Sequence, residues 1–204
     1  MSSNQKKICV GLIITILAIV GFYFFYWIKT PAYSINLIRE AVKHRNIEAF
    51  ERHVDLNSVY SKAVDDFFVV AIKKSGGNVE LDSFTLGILQ LLKPVVVESL
   101  KTATIDEILS NKDSGKVKNR NDIAGDIAGK MQDSTDFDNV TIKNITQKKK
   151  TNGTAVVTLR LYNKEQNKEF ELDIFMNELE NGEWRVKEIS NFRDFLMELD
   201  IPNN

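Results

Sequence analysis

The residues best placed to do chemistry are His53 and Asp55, two positions apart. A carboxylate beside an imidazole can orient the ring to act as a general base. Asp55 also stands where it can cap the following helix, so we predict a structural role, with catalysis by the pair as the alternative. Asp173 is a further carboxylate that an enzyme could use. His44 lies near the end of a predicted helix, where an imidazolium would complement the helix dipole.

Two motifs resemble ligand sites without matching them. The D-x-x-D-x-D run of Asp133, Asp136 and Asp138 lacks the spacing, glycine and terminal glutamate of an EF-hand. In the segment 125–131, three residues separate the glycines where a phosphate loop has four, and Met131 replaces the magnesium-binding Ser or Thr. We therefore predict no catalytic residue, no cofactor and no metal site.

Charged runs are predicted to be solvated. Asp65 and Asp66 are adjacent in a predicted helix, so their carboxylates point about 100° apart and cannot converge on one atom. Lys148, Lys149 and Lys150 precede an Asn-Gly turn and indicate a hairpin tip, with attraction to anionic lipid as the alternative. The chain carries 27 basic and 28 acidic residues, which argues against binding to nucleic acid.

An apolar run from Ile8 to Ile28 is the strongest signal in the chain. It holds 21 residues without a charge, and lysines stand at both ends. As a helix it would span about 31 Å, close to the roughly 30 Å of a bilayer's hydrocarbon core. Tyr23, Tyr26 and Trp27 form an aromatic belt at one end, typical of a membrane interface. We predict a retained single-pass anchor over 8–28 after a short tail, 1–7.

A cleaved signal peptide is the alternative. Its apolar region would be about 7 to 15 residues long, shorter than the run observed here. The lysines on the two sides do not decide the orientation. A large domain translocates largely regardless of its charge. We therefore predict that the protein is located in the cell membrane and that its C-terminal domain lies outside the cytoplasm.

Beyond the anchor, residues 30–204 are predicted to form one α+β domain. Its first part, 31–110, has helical periodicity, with two short helices over 31–54 and a four-turn helix after Asp55. A very apolar stretch, 83–103, is predicted to form two helices that meet at Pro94 and pack on a sheet. A polar loop follows over 111–136.

The period then changes from 3.6 to 2. Over 137–190 alternating apolar residues predict a four-stranded antiparallel meander, and a short helix over 191–200 closes the chain. Asn152-Gly153 and Asn181-Gly182 are typical of type I′ turns, and the pattern predicts a bulge near Lys187.

The alternative for the stretch 83–103 is that part of it forms an exposed apolar surface. Its residues include Phe84 and Ile88. They could contact a protein partner or an apolar ligand held in a cavity against the sheet, or they could lie on the lipid surface.

The sequence resembles an uncharacterised family of bacterial membrane-anchored proteins, a domain-of-unknown-function family. The matching positions are Thr30 to Ser34, Leu37-Ile38, Ala41-Val42, His44, Phe50, Val54-Asp55, Pro94, Ile105 to Leu109 and Gly182 to Val186. The order of helices and meander is also similar to the cystatin-like or nuclear-transport-factor-like cone, a fold that hosts many functions. The resemblance supplies no catalytic residue. The anchor and the absence of an assembled catalytic set predict a membrane-anchored, non-enzymatic binding domain, with a cone-fold enzyme using His53 and Asp55 as the remaining alternative.

Overall fold

The computed structural model describes residues 3–74, 83–110, 140–149, 152–164 and 167–198. The predicted loop 111–136 lies outside these residues. The two sequence runs that resemble ligand sites, 125–131 and the aspartate run 133–138, lie outside them as well. The described part is α+β, with six helices and one four-stranded sheet. In chain order the elements are α1 (Ser3–Trp27), α2 (Pro31–Lys43), α3 (Ile47–His53), α4 (Leu56–Lys74), α5 (Ser83–Leu109), β1 (Val140–Lys149), β2 (Thr154–Asn163), β3 (Lys168–Glu178), β4 (Trp184–Ile189) and α6 (Phe192–Glu198).

The three helices after α1 begin where their capping residues predict. The Thr30 side chain accepts a hydrogen bond from the Tyr33 amide at the start of α2, ahead of a proline at the first helical position. Asn46 accepts from the Ala49 amide at the start of α3. Asp55 accepts from the Ser58 amide at the start of α4. The predicted helix pair over 31–54 is therefore confirmed.

The sheet is the predicted antiparallel meander, with strands in the order β1-β2-β3-β4. Its register skips Lys187, because Met176 pairs with Val186 while Phe175 pairs with Glu188, which confirms the predicted bulge. A second shift leaves Lys143 unpaired in β1. Bulges increase the twist and bend the strand that carries them.

The two predicted hairpin turns differ in the structure. Asn152 and Gly153 both have positive φ angles of 67°, as a type I′ turn requires. In the second turn only Gly182 has a positive φ, 80°. There the Gly182 amide donates to Leu179 O and the Leu179 amide donates to Glu183 O. The prediction of a type I′ turn at Asn181-Gly182 was wrong. The turn has Glu180 and Asn181 as its central residues, and Gly182 follows them as an extra residue with positive φ.

A single helix replaces the two that were predicted to meet at Pro94. Helix α5 runs from Ser83 to Leu109 with Pro94 inside it. It packs mainly on α4, so the prediction that this segment packs on the sheet was wrong. A proline in a helix forfeits one backbone hydrogen bond and crowds the carbonyl four residues earlier, at a cost of about 3 kcal/mol. Burial of Val96, Val97 and Leu100 just after it offsets that cost.

One hydrophobic core joins the sheet to the helices. Its side chains come from α2 to α6 and from one face of β2, β3 and β4. Helix α4 contacts β4, α6 and α5, so it links the sheet to the longest helix of the domain. Trp184, Met176 and Leu196 are the largest fully buried side chains.

Among the described residues, no single helix meets the length and hydropathy criteria for crossing a membrane. The segments Leu12–Trp27 and Pro31–Lys43 meet them only jointly, as a pair bent by 74°.

Candidate functional site

Helix α1 presents its apolar side chains outward along its described length. Twelve large apolar residues between positions 12 and 27 are each 46 to 75% exposed. They are Leu12, Ile13, Ile14, Ile16, Leu17, Ile19, Val20, Phe22, Tyr23, Phe25, Tyr26 and Trp27. Ile8 lies within the bounds of α1, and Ile28 follows it, half-buried. An apolar surface this large and continuous exceeds what a soluble monomer usually exposes.

The residues after α1 are held by the start of β4. The Trp184 indole Nε1 donates a 3.0 Å hydrogen bond to the backbone oxygen of Lys29. The Trp184 amide donates to Ser34 Oγ over 3.1 Å, and both Ser34 and Trp184 are fully buried. We call these three residues the joint. It ties α1 to the domain core through a side chain 155 positions away in sequence.

Sequence reasoning missed the joint. Trp184 lies within the predicted meander, which gives no sign of a contact with Lys29, and Ser34 carries no signal of its own. In the structure Ser34 and Ala41 lie seven residues apart, about two helical turns, so they share the buried side of α2.

His53 and Asp55 do not meet in the structure. His53 is buried, and its Nδ1 donates to Trp184 O over 3.2 Å. The ring's other nitrogen lies 4.0 Å from a Glu183 carboxylate oxygen. Asp55 instead caps α4 and binds Lys187 Nζ at 2.7 Å. The catalytic pairing considered from the sequence is therefore not formed, whereas the capping role of Asp55 is confirmed.

The electrostatics of Asp55 fit this structural role. Burial raises the pKa of its carboxyl, but hydrogen bonds from Lys187 and from the Ser58 amide more than offset that effect. The net result is a pKa lowered from 3.8 to about 2. Asp55 is thus a stable anion that joins α4 to β4.

Asp65 and Asp66 have different environments, and the prediction that both are solvated was half wrong. Asp65 is exposed and binds Lys93 at 2.8 Å. Asp66 is only 1% exposed, and its two oxygens bind Lys62 at 2.6 Å and Arg193 at 2.8 Å. The spacing carried a signal, because Asp66 lies three residues after Ala63 and four before Val70, both in the core.

The other candidate residues, Asp173 and His44, make contacts within the fold. Asp173 accepts a 2.6 Å hydrogen bond from Thr158 Oγ1 on the neighbouring strand. His44 is the C-terminal cap of α2, and its Nε2 lies 3.3 Å from a Glu40 oxygen. Both arrangements stabilise the elements that carry them.

Part of the stretch 83–103, which was predicted to be buried, is exposed on α5. Ile88, Leu91 and Val95 are exposed at helical spacing, and Leu91 is 78% exposed. Phe84 lies within α5, one turn before Ile88. We call Ile88, Leu91 and Val95 the α5 stripe. On the same helix, Val96, Val97 and Leu100 face the core, so this helix separates an outward apolar side from an inward one.

No metal site stands out in the described residues, since no three His, Cys, Asp or Glu side chains there cluster closely enough to hold an ion. Comparison with models of protein families, with curated proteins and with solved structures gave no match.

Proposed function

We propose that this chain is a single-pass membrane protein in which α1 lies in the bilayer and presents the α+β domain outside the cytoplasm. The observation that carries the proposal is the outward apolar surface of α1. Fully burying one large apolar side chain is worth about 1.5 to 3 kcal/mol, so twelve that are half exposed represent on the order of 10 kcal/mol in water. Lipid removes that cost without any protein partner.

The polar ends of the segment support the same assignment. Tyr23, Tyr26 and Trp27 place amphipathic rings near the C-terminal end of α1, as membrane proteins do at the headgroup level. Lys29 follows, with its ammonium nitrogen 4.7 Å from the centre of the Phe25 ring. A lysine at this position can extend toward the headgroups while its aliphatic part stays on the apolar surface.

The domain is proposed to bind rather than to catalyse. The two buried ionisable side chains among its described residues are engaged in structural contacts: His53 with Trp184, and Asp66 with Lys62 and Arg193. We extend the proposal to membership of the uncharacterised family of bacterial membrane-anchored proteins that the sequence resembles. We also propose a cystatin-like or nuclear-transport-factor-like cone, because two bulges bend the sheet and the helices cover one face of it.

The anchor is tested by extraction of membranes at alkaline pH, which releases peripheral proteins and leaves inserted ones. The full chain should stay in the membrane pellet. A variant with Leu17→Arg and Val20→Arg should be released, because charges at the centre of a membrane helix cost about 2.5 to 3.5 kcal/mol each. Release of the unaltered chain would refute the anchor.

The location of the domain is tested separately. Digestion of intact cells by external protease should remove the domain, and full protection of the domain would refute its proposed location.

A second candidate function is binding of an apolar partner at the α5 stripe. The favouring observation is the exposure of Ile88, Leu91 and Val95 on one side of α5. The occupant could be a protein, an apolar ligand or the lipid surface, as the sequence already suggested. A polarity-sensitive dye added to the full chain in detergent should brighten less with Leu91→Ser than with the unaltered chain. Equal brightening with the two proteins would contradict binding at the α5 stripe.

A further inference from the structure

The joint fixes which end of the domain is next to α1. Lys29 O accepts from the Trp184 indole, and the Lys29 side chain lies over the β3–β4 turn. A Cβ built on Gly182 would come within 3.1 Å of Lys29 Cδ. Trp27 and Tyr33 also contact each other across the same connection, with ring centres 5.3 Å apart. The domain is therefore attached to α1 by packed contacts rather than by a free linker.

Strand β1 reaches the same place. The Ala32 amide, near the start of α2, donates a 3.0 Å hydrogen bond to Gln147 Oε1. The register places the β1–β2 turn beside the end of β3, because Thr154 pairs with Asn177 and Glu178 N donates to Gly153 O. The β1–β2 and β3–β4 turns, with the strand ends that they connect, therefore lie at the same end of the sheet and form one border of it. We call it the proximal edge.

The exposed side chains of the proximal edge carry both signs of charge. Lys29 and Lys148 are exposed cations, and Glu178 and Glu180 are exposed anions. Phospholipid headgroups such as phosphatidylcholine also carry both signs, a phosphate and an ammonium. Charges of either sign on this edge would find a partner in such a layer.

From this geometry we propose that the proximal edge lies on the zwitterionic phospholipid headgroup layer, so that the sheet stands on the membrane by its two turns. The inference depends on the proposed insertion of α1. The headgroup region adds about 5 to 7 Å on each side of the hydrocarbon core, and Lys29 lies there if Trp27 marks the interface. Gly182 packs against Lys29 and so shares its depth.

The opposite end of the sheet should be far from the bilayer. Strand β2 runs from Thr154 to Asn163, and nine steps of about 3.3 Å cover about 30 Å. Lys164, just after β2, is exposed at that distant end. The two ends therefore supply a matched pair of labelling positions within one domain.

The test uses the full chain with Cys9→Ser, reconstituted in phosphatidylcholine vesicles. Glu180→Cys or Lys164→Cys is labelled with a fluorophore, and some lipids carry a nitroxide quencher on the headgroup. We expect quenching of the Glu180 label to be several-fold stronger than that of the Lys164 label. This difference in quenching between the two labels should persist when anionic lipid is added, because the proximal edge carries charges of both signs.

Equal quenching at the two positions, or stronger quenching at Lys164, would overturn the proposed contact. A contrast that appears only with anionic lipid would overturn the zwitterionic assignment. Alkaline extraction of the same vesicles separates this inference from the anchor itself. If the chain is retained and the contrast is absent, only the proximal edge is wrong; if the chain is released, the anchor is wrong.

Discussion

Replacing Asp66 by alanine should destabilise the domain far more than the same change at Asp65. Asp66 receives charged hydrogen bonds from Lys62 on its own helix and from Arg193 on α6. Hydrogen bonds to charged groups contribute about 1.5 to 3 kcal/mol each. The two cations are 36% and 44% exposed and regain water when the carboxylate is lost, which reduces the loss. We expect about 2 to 3 kcal/mol for Asp66→Ala.

Asp65→Ala is the matched control. It removes one carboxylate from the neighbouring position of α4 and breaks a salt bridge whose acidic partner is 53% exposed. An exposed pair of this kind is worth about 0 to 1 kcal/mol. The two variants therefore differ in burial while sharing the chemistry of the deletion.

Urea unfolding of the full chain in a mild detergent gives both values. Trp184 is fully buried in the core and should report unfolding by its fluorescence, whereas Trp27 is half exposed on α1 and adds a background. A double-mutant cycle with Arg193→Met should give a coupling free energy of at least about 1 kcal/mol between Arg193 and Asp66. The reasoning is refuted if Asp66→Ala lies within about 0.5 kcal/mol of the unaltered chain, or if Asp65→Ala costs as much.

Three further changes test other parts of the structure. The pKa of Asp55 is lowered to about 2, so its contribution should be present above about pH 4 and lost as the pH falls toward 2. Asp55→Asn should flatten that part of the stability profile, and an unchanged profile would contradict the assignment. Asn46→Ala should cost about 1 kcal/mol in urea unfolding through loss of the α3 cap, while Asn57→Ala, exposed on α4, should cost less than half of that. Leu91→Ser should change the free energy of unfolding by less than about 0.5 kcal/mol, and a loss above about 1 kcal/mol would show that Leu91 is covered.

Local signals predicted most of the fold. The caps Thr30, Asn46 and Asp55 satisfy amides within three residues, so sequence spacing alone was enough to locate three helix starts. The alternation of the strands and the break in step at Lys187 were equally local. These elements follow from periods and from residues with a special backbone or capping role.

Apart from the turn at Asn181-Gly182, the errors have non-local causes. Pro94 suggested a helix end, but packing on α4 keeps α5 continuous. The helical spacing places Asp66 among core residues, but the cation that binds its buried carboxylate, Arg193 of α6, comes 127 residues later. The indole of Trp184 reaches Lys29 O only after the sheet has formed. Such partners are set by tertiary contacts, which neither propensity nor periodicity contains.

The central claim is that α1 crosses the bilayer, and the depth of its midpoint tests it most directly. Ala18 lies halfway between Ile8 and Ile28 and is exposed on α1. With Cys9→Ser as background, a fluorophore on Ala18→Cys in phosphatidylcholine vesicles should be quenched more by nitroxides near the ends of the acyl chains than by nitroxides on the headgroups. Stronger quenching from the headgroups would place α1 on the surface and contradict the account.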